Sequence, residues 1–194
     1  SDLGGSGWLW RLGGRVGDLE AGNALRMVAA VMQKLANAPG QTRRKIGLLA
    51  LSNGPERGGW ANIPVGDWRR RLSAVPGPNG RAVPMDEISN PQAMLDALAS
   101  GEYLAVLNPY GEWAPALEKG AMPQTVAAVQ AYVHGGGSWF EVGGYPFYYG
   151  MVPLRYLSCG TNYPAAFADF FHLDSHNGSS SIYRIQPQQW APWE

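Results

Sequence analysis

The sequence predicts an α/β fold: a three-layer sandwich with a mainly parallel central sheet and an extra N-terminal helix. Three observations carry that prediction. Short apolar runs recur at "KIGLLALS", "EYLAVLN" and "SWFEV", each of strand length and without the apolar–polar alternation of a half-exposed strand. Stretches of helical spacing separate them. Glycine or proline marks the junctions, and strands alternating with helices in this way build parallel βαβ units with helices on both faces.

Taken in order, Leu25, Val28, Met32 and Leu35 recur every three or four positions, which predicts an amphipathic helix within Leu19 to Ala36 that packs on the main domain. Pro39 and Gly40 end it. Lys45 to Ser52 is the first core strand. Asn53 to Gly80 reads as a long loop that holds a short helix around Asp67 to Leu72 and closes on the Pro76 to Gly80 turn cluster. Loops of that length often carry function. A brief second strand follows near Ala82 to Met85. Ser89 or Asn90 caps a helix over Pro91 to Ala99, with Pro91 at the favoured first position, and Gly101 stops it.

The third strand, Tyr103 to Leu107, runs straight into Asn108, Pro109, Tyr110 and Gly111. A helix over Pro123 to Val133 ends at the glycines after His134. Ser138 to Val142 is the fourth strand. After Gly150 the pattern loosens to one short helix near Ala165 to Phe171 and a final half-exposed strand in "SIYRIQP". The domain reading is an N-terminal extension over 1–40 and an α/β domain over 41–194.

A chain of 194 residues is long enough to bury one sizeable core. Its 15 Lys and Arg balance 15 Asp and Glu, so no global field draws it to nucleic acid or to an anionic membrane. The clusters Arg43 to Lys45 and Arg69 to Arg71 therefore read as solvated faces or partners of acidic residues. No apolar run approaches a membrane span, and the first residues lack the basic and apolar regions of a signal peptide. The chain opens without Met and stops at "QQWAPWE", which points to a piece of a larger protein whose neighbouring domains are its first partners. The single Cys159 forms no internal disulfide and builds no thiolate metal site, so the compartment stays open.

Glu112 and Glu141 fall at the ends of the third and fourth strands, where a pair of carboxylates can act as acid and base on a glycoside. Glu141 is equally able to anchor a loop amide or meet an arginine. Around the same edge lie Tyr110, Trp113, Trp139, Tyr145, Phe147, Tyr148 and Tyr149. Flat rings beside polar groups suit the C–H faces of sugars, with Asn108 and Glu112 as directing hydrogen-bond partners. The bland alternative is that these rings pack the loops down, or bury themselves against a neighbouring domain or subunit in an oligomer.

His172, Asp174 and His176 alternate, so on an extended segment all three face one way and could hold a divalent ion. A fourth ligand is not evident, and Asn177 with Gly178 reads as a solvated turn; no cofactor is expected. Cys159 could take His134 or His172 as its base, but no spacing joins them, which leaves a structural thiol. The glycines at 13–17 follow no predicted strand and make poor phosphate-loop candidates.

The succession "KIGLLAL", "EYLAVLNPYGEW", "TVAAVQAYVHGGGSWFEVGG" resembles the class I glutamine amidotransferase-like superfamily, a flavodoxin-like sandwich. The resemblance covers Lys45 to Tyr149. In that superfamily a Y-V-x-x-G-G helix end, here Tyr132 to Gly137, precedes a strand whose last residues form the nucleophile elbow. The nearest subgroup comprises modules of carbohydrate-active proteins, including trehalose-utilisation-like domains and the middle domain of some β-galactosidases. Catalytic members place Cys at the elbow, with a His and a Glu two residues beyond it. Here Gly143 and Gly144 stand at the elbow, and no His-x-Glu appears near the C-terminal end. The resemblance thus implies a non-catalytic module for structure, interaction or ligand binding, and it favours an extracytoplasmic setting. The alternatives are a glycoside hydrolase using Glu112 and Glu141, and an oligomerisation module.

Overall fold

The computed structural model describes residues 9–12, 21–52, 54–56, 63–111, 113–118, 120–142, 147, 149–151, 173–174 and 184–185. In chain order the elements are β1 (Leu9–Leu12), α1 (Ala21–Ala36), β2 (Lys45–Leu49), α2 (Val65–Leu72), β3 (Met85–Ile88), α3 (Pro91–Ala99) and β4 (Tyr103–Asn108). There follow β5 (Trp113–Pro115), α4 (Met122–His134), β6 (Ser138–Val142), β7 (Tyr149–Met151), β8 (Leu173–Asp174) and β9 (Arg184–Ile185).

The central sheet runs β1-β6-β4-β2-β3, and every neighbouring pair is parallel. Read from the other edge and counted from β2, this is the 2-1-3-4-5 order of a flavodoxin-like sheet, with the fifth place filled by the N-terminal strand. The chain moves outward from β2 to β3, then reverses past β2 to β4 and β6. Because parallel crossovers keep one hand, that reversal puts the connecting helices on opposite faces. Accordingly α1 packs on α2, and α3 packs on α4. The architecture is an α/β sandwich with a mainly parallel sheet.

Each element has a local cause. All residues of β4 and β6, and Ile46 to Leu49 of β2, are buried, which is why these runs show no alternation. In α1 the buried positions Ala24, Val28, Met32 and Ala36 keep the four-residue spacing of one helix face. In α2 Val65, Trp68 and Leu72, spaced three and four apart, form the buried face. Asn90 caps α3, its Oδ1 accepting from the Ala93 amide at 2.8 Å. Past the end of α4, the Gly135 carbonyl accepts from Arg43 Nη2 at 2.7 Å, and the guanidinium lies 5.4 Å from the Tyr132 ring centre. Tyr132 is buried, its hydroxyl donating to the Tyr103 carbonyl at 3.0 Å, and burial pushes its phenol well above the ordinary range.

Several sequence expectations shift. The second strand lies at Met85 to Ile88 rather than Ala82 to Met85. Pro84 has no amide hydrogen to donate, and Ala82 bridges back to Pro76 in a hairpin while Val83 donates to the Val75 carbonyl at 2.8 Å. The segment read as an extension supplies an edge strand as well as a helix, and β1 ends immediately before Gly13, so the glycines at 13–17 do follow a strand. β5 and β7 form a separate parallel pair that short Pro- and Gly-containing stretches do not announce. β8 and β9 pair antiparallel, two residues each; the expected helix near Ala165 to Phe171 lies outside the described residues.

Candidate functional site

The carboxyl edge of the sheet is organised by two side chains on adjacent strands. Asn108, last in β4, stands in register with Glu141 of β6, and both are buried. Asn108 Nδ2 donates to Glu141 Oε1 and to the Trp113 carbonyl, each at 3.0 Å, with the Gly111 carbonyl at 3.3 Å sharing the same two hydrogens. Its Oδ1 accepts from the Tyr110 amide at 3.0 Å. One amide side chain thus folds the turn at 108–111 around itself, and Gly111 supplies the left-handed φ of 64°. Trp139, two residues before Glu141 and on the same face of β6, donates its indole N–H to Glu141 Oε2. The carboxylate therefore joins a strand, a turn and an aromatic ring.

The reversal of winding falls between β2 and β4, the place where open α/β sheets leave a crevice for ligands. Here Tyr110 enters it. Only 1% of the residue is exposed, and its hydroxyl accepts from the Leu51 amide at 2.8 Å, joining the chain after β4 to the chain after β2. Gly54 lies so close that a Cβ there would sit 2.8 Å from the same hydroxyl.

A second turn follows β6. Phe147 holds a φ of 58°, costly for a bulky side chain, and it is buried with its ring stacked on Trp139 at 6.1 Å. Beyond both turns the chains pair again as β5 and β7, with Trp113 in register with Tyr149. Thr125 Oγ1 on α4 ties this pair down through the Pro115 carbonyl at 2.8 Å.

Of the residues the sequence singled out, Asn108, Tyr110 and Glu141 come together, and Trp113, partly exposed, joins through its carbonyl. Trp139 and Phe147 belong to the core under the site. Glu112, Gly143, Gly144, Tyr145 and Tyr148 lie outside the described residues, as do Cys159, His172 and His176. Asp174 falls in β8. Among the described residues no group of three His, Cys, Asp or Glu side chains could hold a metal. His134 is exposed at the end of α4, where the chain enters the opposite, amino edge of the sheet. Sequence reasoning missed the Trp139–Glu141 bond, although their i, i+2 spacing on a strand places both on one face; it also missed the contact of Tyr110 with residues 51 and 54, which no local signal carries.

Within the basic clusters, Lys45, Arg69 and Arg70 make ion pairs. Lys45 Nζ reaches Glu102 at 2.8 Å and Asp86 at 3.3 Å, and Tyr103 donates its hydroxyl to Asp86 at 2.9 Å. Hydrogen bonds to Glu102 and Asp86 hold the Lys45 ammonium above its usual range, while burial first and Asp86 second push the Tyr103 phenol up. Arg69 grips Glu87 through two bonds of 2.5 and 2.7 Å, holding that carboxyl below its usual range, and Arg70 pairs with Asp67. No helix among the described residues is long and apolar enough to cross a membrane. Comparison with known proteins finds no matching family model, no matching curated protein and no matching solved structure.

Proposed function

We propose that the chain is a non-catalytic α/β module of the amidotransferase-like type within a larger, carbohydrate-related protein, and that it serves structure and interaction. The observation that carries this is the state of Glu141: 1% exposed, with one oxygen engaged by Asn108 and the other by Trp139. A general acid or base must come within hydrogen-bond reach of the proton it moves. Glu141 instead spends its acceptors on a turn and a core ring. Tyr110 in the crevice supports the same reading, because the chain's own side chain takes the space a small ligand uses in related sheets.

Sugar binding is the second reading, and the partly exposed Trp113 favours it. Calorimetric titration of oligosaccharides, glycoside turnover assays and concentration-dependent light scattering on the intact chain separate the readings. The module reading expects no turnover. Glycoside hydrolysis that Glu141→Gln abolishes while leaving the urea midpoint unchanged would overturn it, and sugar binding lost in Trp113→Ala would install the second reading in its place.

A further inference from the structure

The hairpin between α2 and β3 carries an Asn–Gly dipeptide, Asn79–Gly80. Pro76 and Ala82 pair across its base, Gly77 N–H donates to the Arg81 carbonyl at 2.7 Å, and Gly80 N–H donates to the Gly77 carbonyl at 3.1 Å, which makes 77–80 a β-turn. Asn79 and Gly80 occupy its exposed tip. Among the described residues nothing hydrogen-bonds the Asn79 carboxamide, and a Cβ built on Gly80, whose φ is 70°, would meet nothing within 4 Å. We propose that Asn79–Gly80 is a site of spontaneous deamidation that consumes water and alters the turn.

The steps balance without a cofactor. The Gly80 amide nitrogen loses its proton and attacks the Asn79 side-chain carbonyl carbon; a C–N bond forms, and the carboxamide nitrogen leaves as ammonia. Water then opens the resulting succinimide at either carbonyl, giving aspartate or isoaspartate. Glycine matters because no Cβ shields the attacking nitrogen. That nitrogen is restrained by a single turn bond at an exposed tip, where opening sacrifices no packing.

The contrast lies within the same chain. Asn53 also precedes a glycine, but Gly54 donates to the Leu51 carbonyl at 2.8 Å, and a Cβ there would sit within 3 Å of the Tyr110 hydroxyl and of Leu51. Freeing its nitrogen means disturbing buried Tyr110, so Asn53 reacts more slowly. At Asn79 the aspartate product places a negative charge beside Arg81. The isoaspartate product adds a methylene to the main chain, which the Gly77–Arg81 and Gly80–Gly77 bonds cannot both span. It loosens the hairpin that feeds edge strand β3.

The test incubates the intact chain in neutral and in mildly alkaline buffer, then maps peptides by mass spectrometry with fragmentation that separates aspartate from isoaspartate. The expected result is conversion at Asn79 ahead of Asn53, faster in proportion to hydroxide, with both products present and none at this position in Asn79→Gln. An Asn79 that keeps its amide while Asn53 converts, or that yields aspartate alone, overturns the proposal.

Discussion

Replacing Glu141 by glutamine removes one acceptor and adds one donor at a place with no room for either change. Among the described residues two donors face the side chain, Asn108 Nδ2 and Trp139 Nε1, and glutamine accepts from only one of them. Asn108 cannot flip to compensate, since its Oδ1 accepts the Tyr110 amide and its Nδ2 serves the Trp113 carbonyl. Trp139 has no acceptor to offer. An orphaned buried donor costs about 1–3 kcal/mol, and loss of charge assistance in the remaining bond adds roughly 1 kcal/mol. The sum is about 2–4 kcal/mol. With a mid-range urea slope of about 2 kcal/mol/M, the unfolding midpoint falls by about 1–2 M. Equilibrium urea unfolding followed by tryptophan fluorescence measures it. The decisive arm is a double-mutant cycle with Trp139→Phe, which deletes the orphaned donor: the pair should be less destabilised than the two single effects added together. An unchanged midpoint in Glu141→Gln, or strict additivity in the cycle, refutes the reasoning.

Three further expectations concern the frame around that site. Gly47→Ala places a Cβ 2.8 Å from Ile88 Cδ1 and 3.1 Å from Val106 Cγ2, so overpacking should cost about 1–3 kcal/mol in thermal or urea unfolding; adding Ile88→Val, which removes the nearer methyl, should restore part of it. Arg43→Met, which loses the bond to the Gly135 carbonyl and the stacking on Tyr132, should cost roughly 1 kcal/mol and speed amide exchange at the end of α4. Glu87 has its folded pKa lowered from 4.5, first by the Arg69 hydrogen bond, so its contribution is present above about pH 4.5 and disappears as pH falls through the lower folded value. Both side chains are 40% exposed or more, which limits the pair to less than about 1 kcal/mol. Urea midpoints taken from neutral to acid pH should therefore converge for wild type and Arg69→Met at the acid end; a gap that persists there refutes the assignment.

The parts of this fold that were legible in the sequence are those with local causes. Asn90 and Pro91 announce α3, the four-residue rhythm of Val28 and Met32 announces α1, and Ser138 to Val142 is long and apolar enough to be read with its true bounds. Strand β3 was misplaced because Met85, Asp86 and Glu87 are partly exposed or exposed and show no apolar run. β1 escaped notice for a different reason: four residues, "LWRL", become a strand only through pairing with β6. The site divides the same way. Asn108 and Glu141 could be picked out as polar residues closing apolar strands, whereas the entry of Tyr110 between β2 and β4 is a tertiary contact across 59 residues of sequence.

The two edges of the sheet spend their polar groups differently, and that difference decides which residues are replaceable. At the amino edge, Lys45, Asp86 and Glu102 pair in partly exposed positions, where such bonds contribute little and either partner can be exchanged. At the carboxyl edge, Asn108 and Glu141 are fully enclosed, and each engaged group would become a buried orphan if its partner left. A buried carboxylate is an expensive way to gain stability alone, since apolar residues of similar size often do as well. What it adds is position: one acceptor pair fixes the turn after β4 against Trp139, and Trp139 in turn stacks on the strained Phe147 after β6. Beyond the turn after β4, β5 pairs in parallel register with β7, so the two chains meet again past the central sheet.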